Sequence, residues 1–198
     1  VNLYIADNGN YRIRKMMIST RVVSTLVGST RGLTDGASNV ALFDSPKGIT
    51  TDGTYLYVTE PDASPAKIRK ITIATGEVTT LNTGGNSSLL NLRPSITTDG
   101  NQLFVILNRQ IYKVDKTGGA PVLLAGSATS GSADGTGASA SFYAPAGLAT
   151  DGTYVYLTDS GNHNIRKISI ASGEVTTVAG LAGTPGTTNA TGTNARFD

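Results

Sequence analysis

The chain has 198 residues, with 16 Lys and Arg against 14 Asp and Glu, for a net charge of +2. That near balance, without a run of five like charges, argues against a nucleic-acid partner and against a basic or acidic tail. There is no Cys, which excludes disulfides and thiolate metal sites, and apolar runs of about five residues are too short for a membrane-inserted helix.

Charged residues make up 15% of the chain, low against about 25% in ordinary soluble domains, while Gly numbers 24. A polar but uncharged surface of this kind fits a periplasmic or extracellular protein. The chain opens Val1-Asn2-Leu3 without a signal peptide, so any targeting segment is expected outside these residues.

In chain order, Leu3-Tyr4-Ile5-Ala6-Asp7 reads as a strand, followed by a turn, by Arg12-Ile13-Arg14-Lys15 and by Val22–Leu26. A new run, Gly48-Ile49-Thr50-Thr51, then opens a second copy, with Leu56-Tyr57-Val58-Thr59-Glu60, Lys67-Ile68-Arg69-Lys70 and Glu77–Leu81 behind it. A third copy runs through Ser95–Thr98, Leu103–Leu107, Gln110–Lys113 and Pro121–Leu124, and a fourth through Gly147–Thr150, Val155–Asp159, Asn164–Lys167 and Glu174–Val178. Asp52-Gly53, Asp99-Gly100 and Asp151-Gly152 mark tight hairpins between the first two strands of a copy, and Thr75-Gly76 and Ser172-Gly173 between the last two.

Four runs per copy, here a to d, with no helical periodicity, predict an all-β chain of four-stranded antiparallel sheets. One such sheet cannot bury both faces alone, so the copies are expected to stack as blades of a β-propeller, a strands around a channel and d strands outside. The repeats fall at approximately 1–45, 46–92, 93–144 and 145–198, within a single partial propeller domain. The first blade lacks its a strand, and the ring is expected to be incomplete, continuing into further blades of the same chain or closing with a second copy.

Asp159-Ser160-Gly161-Asn162-His163-Asn164-Ile165-Arg166-Lys167, Asp7-Asn8-Gly9-Asn10-Tyr11-Arg12-Ile13-Arg14-Lys15, Pro46-Lys47-Gly48-Ile49-Thr50-Thr51-Asp52 and Pro145-Ala146-Gly147-Leu148-Ala149-Thr150-Asp151 together resemble the signatures of NHL-repeat propellers of bacterial, secreted type. The resemblance implies a ring of about six blades and a scaffold that hosts many functions. Two copies depart from it. The second has Glu60-Pro61-Asp62-Ala63-Ser64-Pro65 for the Asn-rich turn. The third has Leu107 for the acid and the short turn Asn108-Arg109-Gln110, and Arg93-Pro94-Ser95 stands where Pro-x-Gly is expected.

In a propeller the a–b and c–d turns share one face and the b–c turns and d–a crossings share the other. The first face is monotonous here and the second long and varied, so a ligand site is placed on the second. Its candidate binding residues are Asp7, Asn10, Glu60, Asp62, Arg109, Asp159, Asn162 and His163. Asp7, Glu60 and Asp159 have a simpler reading as hydrogen-bond acceptors for their own turns or as partners of Arg14, Arg69 and Arg166. His163 reads as a turn position. Asp35 and Asp134 read as Gly-assisted turns, with Phe43 and Phe142 pinning the crossings. Tyr4, Tyr57, Tyr156 and Phe104 read as packing between blades.

One His cannot supply the several ligands of the amidating lyases among propeller relatives, and no credible Ser–His–Asp or Cys–His arrangement exists. No ring of Glu, Asp and Asn of the lactonase kind is apparent. The favoured function is therefore a non-catalytic binding or scaffolding module of a larger exported protein, its partner a protein or a surface glycan. No cofactor is expected and no catalytic residue is assigned. The alternative is a hydrolase or lyase with a metal-assisted site in the channel, for which calcium or zinc at the channel mouth would be the sign.

Overall fold

The computed structural model describes residues 1–84, 89 and 91–198. The first sheet holds β1 (Asn2–Asp7), β2 (Arg12–Met17) and β3 (Val23–Val27). The second holds β4 (Ile49–Thr51), β5 (Tyr55–Glu60), β6 (Lys67–Thr72) and β7 (Val78–Thr80). β8 (Leu92–Thr98), β9 (Gln102–Leu107), β10 (Gln110–Asp115) and β11 (Val122–Ala125) form the third. The fourth contains β12 (Gly135–Thr136), β13 (Pro145–Thr150), β14 (Tyr154–Asp159), β15 (Asn164–Ser169) and β16 (Glu174–Ala179). The strands within each sheet pair antiparallel, and each sheet runs in chain order apart from β12. The chain is all-β, a stack of propeller blades, with β4, β8 and β13 side by side on the inner edge.

The core lies between blades, and strand alternation puts it there. Leu56 and Val58 of β5 point at blade one, where they meet Ile13, Val27 and Phe43. Tyr57, between them in sequence, points the other way into the next interface, with Leu103, Val105 and Val114. The third interface repeats the first: Ile111 and Ala125 meet Phe142, Val155, Leu157 and Ile168. Phe43 and Phe142 come from crossings and are fully buried. Tyr4, Tyr57 and Phe104 pack at successive interfaces. Tyr156 is half-buried and donates its hydroxyl to Asp151 at 2.9 Å.

The hairpin turns are as read. Asp52 accepts from the amides of Thr54 and Tyr55 at 3.0 and 2.8 Å, and Asp151 does the same for Thr153 and Tyr154. Lys116 of blade three reaches Asp52 of blade two at 2.7 Å, latching two blades on this face.

The crossings at 28–46 and 126–145 each reach the outer edge of the next blade before turning inward. Gly36 exchanges both backbone hydrogen bonds with Val78, and β12 adds a fifth strand beside β16. Gly36 and Gly135 have φ of 134 and 148, a backbone that only glycine adopts easily. Gly48 and Gly147 hold equivalent places in their blades but differ in their surroundings. A Cβ on Gly48 would fall on the Pro94 carbonyl of the next blade, whereas on Gly147 it would meet only Thr158 Oγ1 of its own sheet, at 3.0 Å. The 82–93 crossing lies outside the described residues at 85–88 and 90.

Candidate functional site

The loop-rich face is framed by two near-identical arginine clamps. Arg69 Nη1 donates to Glu60 Oε2 at 2.7 Å and to the Leu42 carbonyl at 3.0 Å. Its Nη2 donates to Asp35 Oδ1 at 2.8 Å and to the Thr34 carbonyl at 2.9 Å. Arg166 repeats the set with Asp159, Ser141, Asp134 and Ala133. Both guanidinium groups lie over the crossing phenylalanines, 5.0 Å from the Phe43 centroid and 5.1 Å from Phe142. Both arginine side chains are completely buried. Charges so removed from water persist only when paired, and here the two Nη atoms of each guanidinium meet two carboxylates and two carbonyls, while each Nε is left without a partner.

Those contacts settle most of the candidate acids. Glu60 is fully buried, and its other oxygen accepts from the Asp44 and Ser45 amides at 2.6 and 3.1 Å. Asp159 is equally buried and accepts from the Tyr143 amide and from Asn162, each contact within 2.8 Å. Asn162 also donates to the Gly131 carbonyl at 2.7 Å. Asp7 accepts from Asn10 at 2.9 Å and from Arg14 at 3.3 Å on blade one. His163 occupies a left-handed turn position, φ 53, as Tyr11 does at 56.

Asp35 and Asp134 are more than turn acids, contrary to expectation. Besides the arginine, each accepts from the amide and hydroxyl of a d-strand threonine, Thr80 and Thr177 respectively. Burial pushes the Asp134 carboxyl up, but the hydrogen bonds from Arg166 and Thr177 outweigh it and hold it below the ordinary carboxylate value. A crossing is thus bolted to strands b, c and d of the following blade. No spacing rule in the sequence signals a contact spanning 34 residues.

Asp62 and Arg109 are brought together, on one cavity of about 620 Å³ between blades two and three. Its wall also contains Lys47, Pro61, Asn91, Arg93, Pro94 and Asn108. Lys47 pairs with Asp62 at 2.6 Å. Among the described residues neither Arg93 nor Arg109 meets an acid, and residues 85–88 and 90 contain none. An adjoining concavity of about 380 Å³ shares Arg93 and Pro94 and continues past Gly48, Ser95 and Ala146 toward the inner strands. Lys47, Asn91, Arg93 and Asn108 were not among the sequence candidates. For Asn91, Arg93 and Asn108 the signal was present in the places where the second and third copies leave the repeat, whereas Lys47 lies in a segment that matches it.

Among the described residues no group of three or more His, Cys, Asp and Glu side chains is placed to hold a metal ion, and no helix is long and apolar enough to cross a membrane.

No family model matches the chain. A stretch of 79 residues, 40% of the chain, is 43% identical to NHL repeat-containing protein 2 of Gallus gallus, and it spans 11% of that protein. Among solved structures, a chain of a nidogen/laminin complex superposes with TM-score 0.65 at 19% identity, over 91% of this chain and 61% of that one. An auxiliary nutrient binding protein of Bacteroides thetaiotaomicron gives 0.59 at 19% identity, over 94% and 56%. The chain therefore spans little more than half the length of these propellers.

Proposed function

We propose that this β-propeller, part of which is similar to an NHL repeat-containing protein, is a non-catalytic binding module that holds a glycan or a protein at the mouth between blades two, three and four, as part of a larger exported protein. The observation that carries this reading is the contrast on one face. Arg69, Arg166, Glu60 and Asp159 are buried and paired with one another across the clamps, whereas Arg93, Arg109, Asn91 and Asn108 stand exposed around a concavity of about 620 Å³. That volume lies in the range of ligand sites. A nutrient-binding propeller and a propeller in a protein complex among the structural neighbours support the same reading.

The test presents the chain to arrays of surface polysaccharides and extracellular proteins. Saturable binding is expected, lost on replacing Asn91 and Asn108 by Ala and retained on replacing Asn101, which is exposed on the opposite face. Binding that depends on Asn101 but not on Asn91 and Asn108 would overturn the placement. Turnover that requires an added metal would overturn the non-catalytic reading.

A further inference from the structure

We infer that the mouth is an anion site, built to take the carboxylates of an acidic oligosaccharide, with Arg93 and Arg109 as the two recognition forks. The inference rests on the binding role proposed above and narrows it to one ligand class.

Charge is the first ground. Lys47, Arg93 and Arg109 against Asp62 give this cavity +2, equal to the net charge of all 198 residues. The rest of the chain is therefore balanced, and the excess is gathered at one concavity. Lys47 is neutralised by Asp62 at 2.6 Å. The two arginines have no acid among the described residues, unlike Arg69 and Arg166, whose forks are filled. A free, planar guanidinium at a concave wall matches a carboxylate with two parallel hydrogen bonds.

The rest of the wall favours a sugar over other acids. Asn91 and Asn108 carry amides that both donate and accept, as ring hydroxyls require. Pro61 and Pro94 offer compact apolar faces, and no aromatic ring stands among the lining residues, so charge and hydrogen bonds must provide the affinity. An extended acidic peptide would bind best by adding to a strand edge. At this point β8 carries Pro94, which has no N–H, and its register against β9 shifts between Leu92 and Ile96. The adjoining concavity shares Arg93, so the site is long enough for more than one ring, with Arg93 at the joint.

The test titrates the whole chain calorimetrically with trigalacturonate, with uncharged galactotriose and with a hexaglutamate peptide. Trigalacturonate is expected to bind, with affinity falling on the order of tenfold for Arg93→Gln and again for Arg109→Gln. Affinity should also weaken as salt rises to about 0.3 M, because the forks are solvent-exposed. Both variants should melt within about 2 °C of the parent, because exposed side chains with no acid partner among the described residues contribute little stability. Equal or tighter binding of galactotriose or hexaglutamate would overturn the inference while leaving a binding mouth in place. Trigalacturonate binding indifferent to both substitutions would overturn it too. Failure of all three probes would overturn the anion site, and the array experiment would then decide separately whether the face binds anything.

Discussion

Blades two and four hold their loop-rich corners with a buried arginine, and blade three does without one. At the clamp positions blade three has Leu107 for the acid and Tyr112 for the arginine. Leu107 packs with Leu89 and Leu92, which arrive on the crossing before it, and Tyr112 lies against the same cluster. An ion pair and an apolar cluster thus perform one task, tying a crossing to the blade that follows. Such replacement is close to neutral for stability when the apolar groups pack well, whereas losing one partner of the ionic version is costly. The exchange has a surface consequence. With no acid at position 107 and a two-residue turn above it, the corner of blade three leaves Arg109 free at the rim.

The comparison can be broken most severely at the clamp. Arg166→Ala leaves Asp159 buried without its cation, and should cost about 3–5 kcal/mol, a fall in Tm on the order of 10 °C. Arg14→Ala removes a half-exposed pair with Asp7 and should cost no more than about 1 kcal/mol. Thermal melts that ranked the two alike would refute the claim that burial and the crossing contacts make the difference.

A smaller effect is expected at the inner strands. Gly48→Ala drives a methyl group against the Pro94 carbonyl of blade three, an overpacking worth about 1–3 kcal/mol. Gly147→Ala should cost well under about 1 kcal/mol, because only a threonine hydroxyl on its own sheet must yield. Chemical denaturation of the two variants compares them directly.

The mildest effect belongs to the opposite face, where blades two and three are latched by Lys116 and Asp52. Burial alone would raise the Asp52 carboxyl, but Lys116 and the Tyr55 and Thr54 amides lower it to about 2 from an ordinary 3.8. A carboxyl lowered by folding adds stability that is complete above pH 3.8 and lost as pH falls toward 2. The Tm of the parent chain should therefore drop between these values more steeply than that of Asp52→Asn. Parallel acid melts with equal slopes would show that the latch contributes nothing.

Much of this architecture follows from the amino-acid sequence alone. Alternation in Leu56-Tyr57-Val58 sends neighbouring side chains to opposite faces, and Asp-Gly turns set the hairpins, so strands, their order and the stacking of blades all follow from local chemistry repeated four times. The pairing of Asp7 with Arg14, Glu60 with Arg69 and Asp159 with Arg166 was legible for the same reason, since adjacent strands bring them together. Other features depend on contacts between segments far apart in the chain. Asp35 and Asp134 reach their arginines only because Gly36 and Gly135 carry the crossings to the outer edge of the next blade. Burial then turned Glu60, Asp159 and Asn162 from candidate ligand contacts into framework, since a group without water around it must spend its hydrogen bonds inside the protein. The mouth itself joins Lys47, Asp62, Arg93 and Arg109 from two blades, and that concavity exists only once the two sheets pack side by side.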